Sequence, residues 1–578
     1  MIFQPQFSDS GVPLSEYPRP QMKRESYFSL NGKWEYAIRK VENIQGYDGE
    51  IIVPYSPESL LSGVDKQVKK DDFLFYKRQF RLPDRFQKDK VFLNVGACDQ
   101  VCKVYLNGVL VGEHEGGYLP FSLEITQALK EENELVFVVQ DNADSDVYGR
   151  GKQKYKRGGI WYTATSGIWQ SVWLESVPAL YIEKFKLLPD YDEKQLKICF
   201  EKSGKGTVSV CIKEGEEILS TGETDGDTLT LDVSMCKEWT TDAPELYEVE
   251  IRFGEDFIQS YFGLRKFSVV QRGEYKFFAL NDKPIFHNGL LDQGYWQQGM
   301  YTPPTNRAMY EEVKSVKELG FNMLRKHIKV EPMLWYYYCD ILGVLVWQDM
   351  INGGKKYNPL RIALCPFLNL HLNDTDYKAM GRSEASREWY YQEAYGLIDA
   401  LYNCVSLCLW TPFNEAWGQF DAYKVWEDLK QKDGSRLYDH ASGWQDMGGG
   451  DVCSKHIYFR KARMQNDRKR VLALTEFGGY SYGMEGHVFS SKRFGYKKFS
   501  TQNGLMNAIE KLYYEEIAPL IETEGLGATV YTELTDVEDE INGLYTYDRV
   551  LKVDAERIRD INAAVYDSFR WLIKKLEQ

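Results

Sequence analysis

Two glutamates in the second half of the chain each follow an apolar run as long as a β-strand. The run CVSLCLWTPFNEAWG leads to Asn414 and Glu415, and the run VLALTEFGGY leads to Glu476. One carboxylate at a strand end is usually an ion-pair partner, but two at strand ends of one closed parallel sheet would face the same opening. Glycoside hydrolysis requires such a pair: one acid protonates the leaving oxygen, and one carboxylate meets the oxocarbenium-like carbon.

The region after residue 266 has the pattern of a parallel α/β architecture, because short apolar runs alternate with amphipathic segments. We expect one helix over 306–319, with Thr305 as its N-cap and Gly320 as its stop. The candidate strands predict a (β/α)8 TIM barrel, whose active site lies at the carboxyl ends of the strands. The candidate strands are 284–290, 322–328, 344–347, 405–410, 436–438, 452–458, 471–475 and 527–531. Further helices are expected at 332–342, 384–403, 422–432, 503–523 and 554–576.

The first part of the chain is predicted to be β structure. Asn107-Gly108 lies between two apolar runs, which predicts a hairpin because a type I′ turn needs positive φ. Turns recur at short intervals from about residue 180 to 266, as in a small sandwich. The connection over 144–167 is rich in glycine, basic and aromatic residues and is too long for a simple turn, which is typical of a functional loop. It holds Tyr148, Arg150, Lys152, Trp161 and Tyr162.

Composition and charge argue against several classes of protein. The net charge is −14, and no basic run has the length expected of a nucleic-acid footprint. No stretch reaches the roughly 18 consecutive apolar residues of a membrane-spanning helix. The polar N-terminus lacks the pattern of a signal peptide, so we expect a cytoplasmic protein. The 10 cysteines form no C-x-x-C motif, and there is no H-E-x-x-H, so structural zinc is not expected.

The residues around the two glutamates resemble family 2 of the glycoside hydrolases. Trp410 with Asn414-Glu415 is similar to the acid/base motif of that family, and 475–478 (TEFG) to its nucleophile motif. LNGKWEY at 30–36, VYLNGVLVG at 104–112 and SGIWQSVWLE at 166–175 resemble its sugar-binding jelly roll. The resemblance covers essentially the whole chain. It implies a multidomain fold, with an N-terminal β jelly-roll sandwich over 1–179, an immunoglobulin-like β-sandwich over 180–266 and a C-terminal catalytic barrel over 267–578.

The same resemblance implies a role for individual residues. Glu415 would be the acid/base and Glu476 the nucleophile, with Asn414 on the sugar 2-hydroxyl. Tyr458 would donate a hydrogen bond that keeps Glu476 ionised, and His327 would lie near substrate hydroxyls. Independently of the resemblance, Trp444 and the segment 347–349 follow predicted strands, where stacking and hydroxyl contacts would be useful, with buried packing as the alternative. Asp292 follows the first strand and could hold a hydroxyl, and Trp410 is a further candidate. Arg325 and Lys326 are either sugar ligands or ion-pair partners within the barrel.

One departure from the family pattern bears on the sugar. Family β-glucuronidases carry Asn-x-Lys-Gly after the eighth strand, where this chain has Glu-Ile-Asn-Gly at 540–543. The carboxylates of Glu538, Asp539 and Glu540 would repel a uronate, which favours a neutral sugar. Three basic residues in the insertion over 350–382 keep the uronate alternative open: Lys355, Lys356 and Arg361.

The sequence therefore predicts a retaining exo-β-glycosidase, foremost a β-galactosidase, that forms a glycosyl-enzyme intermediate. The alternatives are a β-glucuronidase or β-mannosidase of the same family, and a non-catalytic carbohydrate-binding protein. A hydride-transfer barrel is disfavoured because no phosphate-binding glycine fingerprint occurs in a suitable turn. We expect no cofactor and no required metal. The expected partner is a small glycoside or oligosaccharide, without nucleic acid or membrane, and the aromatic-rich β domains are compatible with a homo-oligomer.

Overall fold

The C-terminal half of the chain is a parallel (β/α)8 barrel in the computed structural model, which describes residues 3–355 and 372–578. The hydrogen-bonded order of its strands is 5-4-3-2-1-8-7-6, and Asp451 N–H donates to the Tyr438 carbonyl at 2.8 Å to join strands 5 and 6. The predicted fold class is confirmed. Barrel strands 1 to 8 are His287–Asp292, Met323–Lys326, Leu345–Asp349, Leu407–Thr411, Leu437–Tyr438, Val452–Ile457, Val471–Gly478 and Leu526–Thr532.

The barrel strands are buried along their lengths, as expected of parallel strands covered by helices. All residues of strand 7, including Glu476, are buried. The first helix begins as predicted, because the Thr305 hydroxyl accepts a hydrogen bond from Ala308 N–H at 3.0 Å. The helices in the described ranges are Asn306–Glu318, Met333–Leu342, Glu384–Leu401, Ala422–Lys432, Gln502–Leu512, Ala518–Glu524 and Ala555–Leu576.

The predicted single helix over 503–523 is interrupted. Between Gln502–Leu512 and Ala518–Glu524 the chain forms a π-helical turn, Tyr513–Ile517. Pro519 lies just after this turn, and it cannot donate the backbone hydrogen bond that a continuous helix needs. The wider turn accommodates the missing donor.

The first β region is a sandwich of two sheets around one apolar core that includes Trp34, Tyr76, Leu93 and Leu174. The predicted hairpin is confirmed, with φ of 54° at Asn107 and 81° at Gly108. The strands of the six-stranded sheet are, in order, Gly49–Val53, Gly32–Arg39, Phe73–Phe80, Asn133–Gln140, Val101–Leu106 and Val109–Glu115. Those of the four-stranded sheet are Tyr27–Ser29, Val172–Val177, Lys90–Val95 and Phe121–Glu124.

The second β region is a smaller sandwich with its own apolar core. One sheet contains Ile182–Asp190, Gln195–Lys202 and Thr228–Asp232; the other contains Glu217–Thr224, Val208–Glu214, Tyr247–Phe253 and Asp256–Phe262. A small sheet precedes the barrel and consists of Phe267–Arg272, Tyr275–Leu280 and Lys283–Pro284.

We propose domains at 1–179, 180–266 and 267–578, because both boundaries fall in connections between these strands. The short strand pairs are Cys98–Asp99 with Gly167–Ile168, Gln153–Lys154 with Tyr162–Thr163, and Tyr480–Tyr482 with Lys497–Phe499.

The long loop of the first domain reaches the barrel. Arg150 N–H donates to the Asn352 carbonyl at 2.5 Å, beyond barrel strand 3. Arg157 forms an ion pair with Asp539 at 3.1 Å, beyond barrel strand 8. The loop therefore lies along the carboxyl ends of the barrel strands. No helix in the described ranges is both long and apolar enough to span a bilayer.

Candidate active site

Glu415 and Glu476 come together at the mouth of the barrel. His456 lies between them, with Nδ1 at 2.8 Å from Glu415 Oε1 and at 3.5 Å from Glu476 Oε2. One ligand atom from each of the three side chains lies within 4.8 Å of the other two. Carboxyl groups of retaining glycosidases stand about 5–5.5 Å apart, and those of inverting ones about 6.5–9.5 Å. The close approach agrees with the retaining arrangement.

Local backbone geometry directs both carboxylates to the mouth. Glu415 leaves barrel strand 4 with a φ of 51°, and its N–H donates to the Ser442 carbonyl at 2.9 Å. A left-handed conformation in a residue other than glycine is uncommon and recurs at functional sites. Glu476 is paired with His456 in the ladder of barrel strands 6 and 7. The side chains of Glu476 and His456 are therefore neighbours on adjacent strands.

The surroundings of Glu476 keep it ionised. Tyr458 donates its hydroxyl hydrogen to Oε2, and Arg325 Nη1 lies 3.2 Å from Oε1. Burial by itself would raise the pKa of Glu476, but the charges of His456 and Arg325 outweigh it and lower the pKa to about 2. At neutral pH this carboxylate is an anion, as a nucleophile must be.

Arg325 connects three of the residues around the mouth. Its guanidinium binds both oxygens of Asp349, at 3.0 and 3.1 Å, and Nη2 donates to Asn414 Oδ1 at 2.8 Å. Because arginine only donates, the amide oxygen of Asn414 must face it, which leaves the NH2 group of Asn414 for a ligand. The ion pair is fully buried, with Arg325 0% exposed. It fixes Asn414 and Glu476 relative to each other.

His327 also contacts this network, with Nδ1 at 2.7 Å from Asp349 Oδ2. Burial lowers the pKa of His327 to about 4, so the ring is neutral at pH 7. A neutral ring that donates from Nδ1 to Asp349 has Nε2 as an acceptor, suited to a sugar hydroxyl.

Aromatic rings form much of the wall around the two glutamates. Trp444 stands edge-on to His456, with centroids 5.8 Å apart. Tyr496 stacks on Tyr458 at 3.9 Å. Trp417, from the segment after Glu415, stacks on Trp161 of the N-terminal loop at 5.2 Å. Flat rings of this kind suit the apolar faces of a sugar.

Two predicted sugar ligands do not join this group. Trp410 is fully buried and donates its indole N–H to Asp433 Oδ2 at 2.9 Å, so it points outward to the end of the helix Ala422–Lys432. Side chains alternate along a strand, so a residue that points to the helices cannot face the mouth. Asp292 binds Lys326 Nζ at 2.5 Å and Gly294 N–H at 2.8 Å, and both its oxygens are engaged. Its role as a sugar ligand stays a prediction, as do the roles of the other site residues.

The acidic edge after barrel strand 8 does not face the mouth as free charge. Glu538 and Asp539 form ion pairs with Arg157 at 3.6 and 3.1 Å. Glu540 accepts a hydrogen bond from the Tyr162 hydroxyl at 2.5 Å. This edge binds the N-terminal loop, and the single positive charge of Arg157 offsets part of its negative charge. Of the three basic residues that kept the uronate alternative open, Lys355 is exposed, whereas Lys356 and Arg361 lie outside the described residues.

Sequence reasoning missed His456 and Glu533. His456 lies in barrel strand 6, and Tyr458 follows two residues later, just past the end of that strand. The period of a strand predicts the same direction for both side chains and could have identified His456. Glu533 follows barrel strand 8 and is 0% exposed, and neither carboxylate oxygen has a hydrogen-bond partner among the described residues. Burial, together with the charge of Glu540, raises the pKa of Glu533 well above its usual value. No sequence signal marked it.

The group of Glu415, His456 and Glu476 has the donor atoms and spacing to hold a metal ion. A cation there would occupy the lone pairs that the nucleophile needs for attack. Hydrolysis through Glu476 therefore requires these ligands to be free, and the absence of a required metal stays a prediction.

Comparison with known proteins agrees with this geometry. Residues 57–164 match the glycosyl hydrolase 2 galactose-binding domain-like family. A β-galactosidase of Thermoanaerobacter pseudethanolicus is 24% identical over 450 residues, which are 72% of this chain and 55% of that protein. The chain is therefore similar to glycoside hydrolases of family 2. It spans about half the length of the curated relatives it matches.

Solved structures share the family 2 fold over nearly the whole chain. A β-D-glucuronidase of Dictyoglomus thermophilum superposes with a TM-score of 0.74 at 20% identity, over 95% of this chain and 98% of that one. A β-galacturonidase of Eisenbergiella tayi superposes with a TM-score of 0.70 at 17% identity, over 95% and 99%. At this identity the likeness shows a common fold.

Proposed function

We propose that this chain is a retaining exo-β-glycosidase that releases a terminal β-linked sugar by double displacement. The observation that carries the proposal is the close approach of Glu415 and Glu476, whose ligand atoms lie within 4.8 Å of each other. That spacing fits a sugar carbon between an acid and a nucleophile, without room for a water on the far face.

In the first step Glu476 attacks the anomeric carbon while Glu415 protonates the leaving oxygen, and the glycosidic bond breaks as the bond to Glu476 forms. The proton of Glu415 leaves with the aglycone, so Glu415 is then a carboxylate that can act as a base. In the second step Glu415 takes a proton from water, and the hydroxide oxygen displaces Glu476 from the anomeric carbon.

The neighbouring residues support both steps. Tyr458 and Arg325 stabilise the carboxylate of Glu476 before attack and when it leaves again. The NH2 group of Asn414, which Arg325 does not engage, would donate to the sugar 2-hydroxyl, a contact that strengthens in the transition state. His456 holds Glu415 Oε1 at 2.8 Å and so aligns the acid.

Two sugars are candidates for the site. The name of the curated relative supports a β-galactoside. A β-uronide is the second candidate, because Lys152 of the N-terminal loop brings a cation to the mouth and the acidic edge is engaged elsewhere. β-Mannosides belong in the same test because the motifs do not separate them.

The test is the release of nitrophenol from β-galactoside, β-glucuronide, β-galacturonide, β-mannoside, β-glucoside and α-arabinoside. We expect turnover of at least one, a loss of about 10⁴-fold or more in Glu476→Gln, and a 2-deoxy-2-fluoroglycosyl adduct mapped to Glu476 by mass spectrometry. Glu427→Gln, at an exposed helix position, is the matched control and should keep full activity.

Near-normal turnover by Glu476→Gln would refute the proposal, as would a first-formed product of inverted configuration in an NMR time course. Saturable glycan binding with no hydrolysis of any substrate would support the non-catalytic carbohydrate-binding protein instead.

A further inference from the structure

Lys152 is held at the barrel mouth by the backbone around it. The N–H of Gly151 donates to the Tyr118 hydroxyl at 2.8 Å, and the Lys152 carbonyl accepts from Tyr162 N–H at 2.9 Å. A Cβ on Gly151 would lie 2.9 Å from the carbonyl oxygen of Ile328, so only glycine allows this approach to the loop that carries His327. The position of Lys152 is therefore set by contacts on both sides of it.

The ammonium of Lys152 has no carboxylate partner among the described residues. The residue is 9% exposed, and its Nζ lies 5.8 Å from the ring centroid of Trp417, next to the acid/base loop. No hydrogen bond or ion pair of its ammonium occurs in the described ranges. By contrast, Lys326 and Lys329 are both paired with Glu331, at 2.8 and 2.9 Å. A nearly buried lysine without an anion is unusual, because desolvation of the charge is not repaid by an ion pair.

The electrostatics of the mouth agree with this placement. Burial opposes the ionisation of Glu476, and the charge of Lys152 is among those that lower its pKa. Burial lowers the pKa of His327, and Lys152 lowers it further. Lys152 is thus within electrostatic reach of the nucleophile and of a residue suited to bind a hydroxyl.

The acidic groups near this part of the mouth are partly offset by Arg157, hydrogen-bonded or buried. Glu538 and Asp539 form ion pairs with Arg157, and Glu540 accepts from Tyr162. Burial raises the pKa of Glu533 well above its usual value, which favours its neutral form.

We propose, on the basis of the function proposed above, that Lys152 is the specificity-determining residue of this site and that it binds the carboxylate of a terminal β-linked hexuronic acid. The acidic sugar supplies the anion that the ammonium lacks. The cation comes from the N-terminal domain, and it takes the place of the lysine that is absent from 540–543 after barrel strand 8. The preferred substrates are β-uronides over the matching neutral β-hexosides.

The test compares kcat/KM of nitrophenyl β-glucuronide and β-galacturonide with that of the β-glucoside and β-galactoside. Lys152→Met keeps the length of the side chain and removes its charge. In Lys152→Met we expect kcat/KM for the preferred uronide to fall roughly 100-fold, because a hydrogen bond between charged groups is lost. We expect kcat/KM for the matching neutral sugar to change by less than about fivefold. Lys152→Arg should retain part of the preference. Lys156→Met removes an exposed charge of the same loop and should change neither value.

Binding of the free sugars gives a readout that does not depend on turnover. Glucuronate and galacturonate should bind the wild type more tightly than glucose and galactose in calorimetry, and Lys152→Met should abolish the difference. The assignment would be overturned, while hydrolysis itself stands, if the wild type prefers neutral sugars. It would also be overturned if Lys152→Met lowers kcat/KM equally for uronides and for neutral sugars. Uronate binding that depends on Lys152, without any hydrolysis, would retain the assignment and refute the proposed function. Thermal unfolding of each variant checks that the fold is intact.

Discussion

Replacement of Tyr458 by phenylalanine tests how the nucleophile is kept ionised. The hydroxyl donates to Glu476 Oε2 and lies 3.1 Å from Thr532 Oγ1. Without it, Oε2 retains only His456 Nδ1 at 3.5 Å, while Oε1 keeps Arg325 Nη1 at 3.2 Å. The variant therefore removes one of three groups that stabilise the carboxylate and leaves the ring stacked on Tyr496.

The size of the effect follows from the type of bond. A hydrogen bond to a charged group is worth about 1.5–3 kcal/mol, and about 1.4 kcal/mol corresponds to a factor of ten in rate. We expect kcat/KM to fall roughly 10- to 150-fold in Tyr458→Phe. The pKa of Glu476 starts at about 2, so the loss of one donor raises it without preventing ionisation at pH 7. The loss of activity should appear as a lower kcat at neutral pH. The pH profile of kcat should gain no new acidic limb near pH 6.

The assay is the pH profile of kcat and kcat/KM on the preferred aryl glycoside. Tyr191→Phe is the matched control, because that hydroxyl also donates to a glutamate, Glu238 at 2.8 Å, but lies in the second sandwich. Activity of Tyr458→Phe within threefold of the wild type would refute the reasoning. A loss as large as that of Glu476→Gln would also refute it, since the remaining two groups would then contribute nothing.

Three further changes test the acid, the buried carboxyl groups and the metal. Glu415→Ala should lower kcat/KM of an alkyl β-glycoside about 10²- to 10⁴-fold but spare kcat/KM of a dinitrophenyl glycoside, whose leaving group needs no protonation; equal losses of kcat/KM would contradict the acid role. Burial raises the pKa of Glu393 to about 8 from the usual 4.5, so the folded chain binds a proton that the unfolded chain releases between these values. The free energy of unfolding should therefore fall as pH rises, by up to about 1.4 kcal/mol per pH unit. Urea titrations at several pH values should show a weaker dependence of this free energy on pH in Glu393→Gln, and an unchanged dependence would count against the raised pKa. Incubation with EDTA should leave kcat/KM unchanged, whereas a loss restored by Mg²⁺ would show that a cation is required.

Much of the barrel could be predicted from local pattern. Each predicted barrel strand overlaps an observed one, because an apolar run bounded by helical periodicity has few other ways to bury its residues. The ends of strands 4 and 7 then placed Glu415 and Glu476 at one mouth, since a closed parallel sheet has all its carboxyl ends on the same side. The interruption at 513–517 was missed because a helical pattern does not show how a proline will be accommodated.

Side-chain direction was less predictable. Trp410 lies in the motif that identified the acid/base, yet it points to Asp433 at 2.9 Å. His456 was missed although it shares a strand face with Tyr458. A period of two gives the relative direction of neighbours along a strand, but only the closed barrel decides which face is inside.

The sequence by itself determined the fold class and the two glutamates of this chain, because both follow from apolar runs and from the residues that end them. The tertiary structure decided what surrounds those glutamates. Arg157 and Tyr162 engage the acidic edge at 538–540, and Lys152 reaches the mouth from a different domain. These contacts join residues more than about 250 positions apart, and the Tyr162–Glu540 bond has a separation of 378. No local pattern encodes them, since they depend on how two separately folded cores pack against each other.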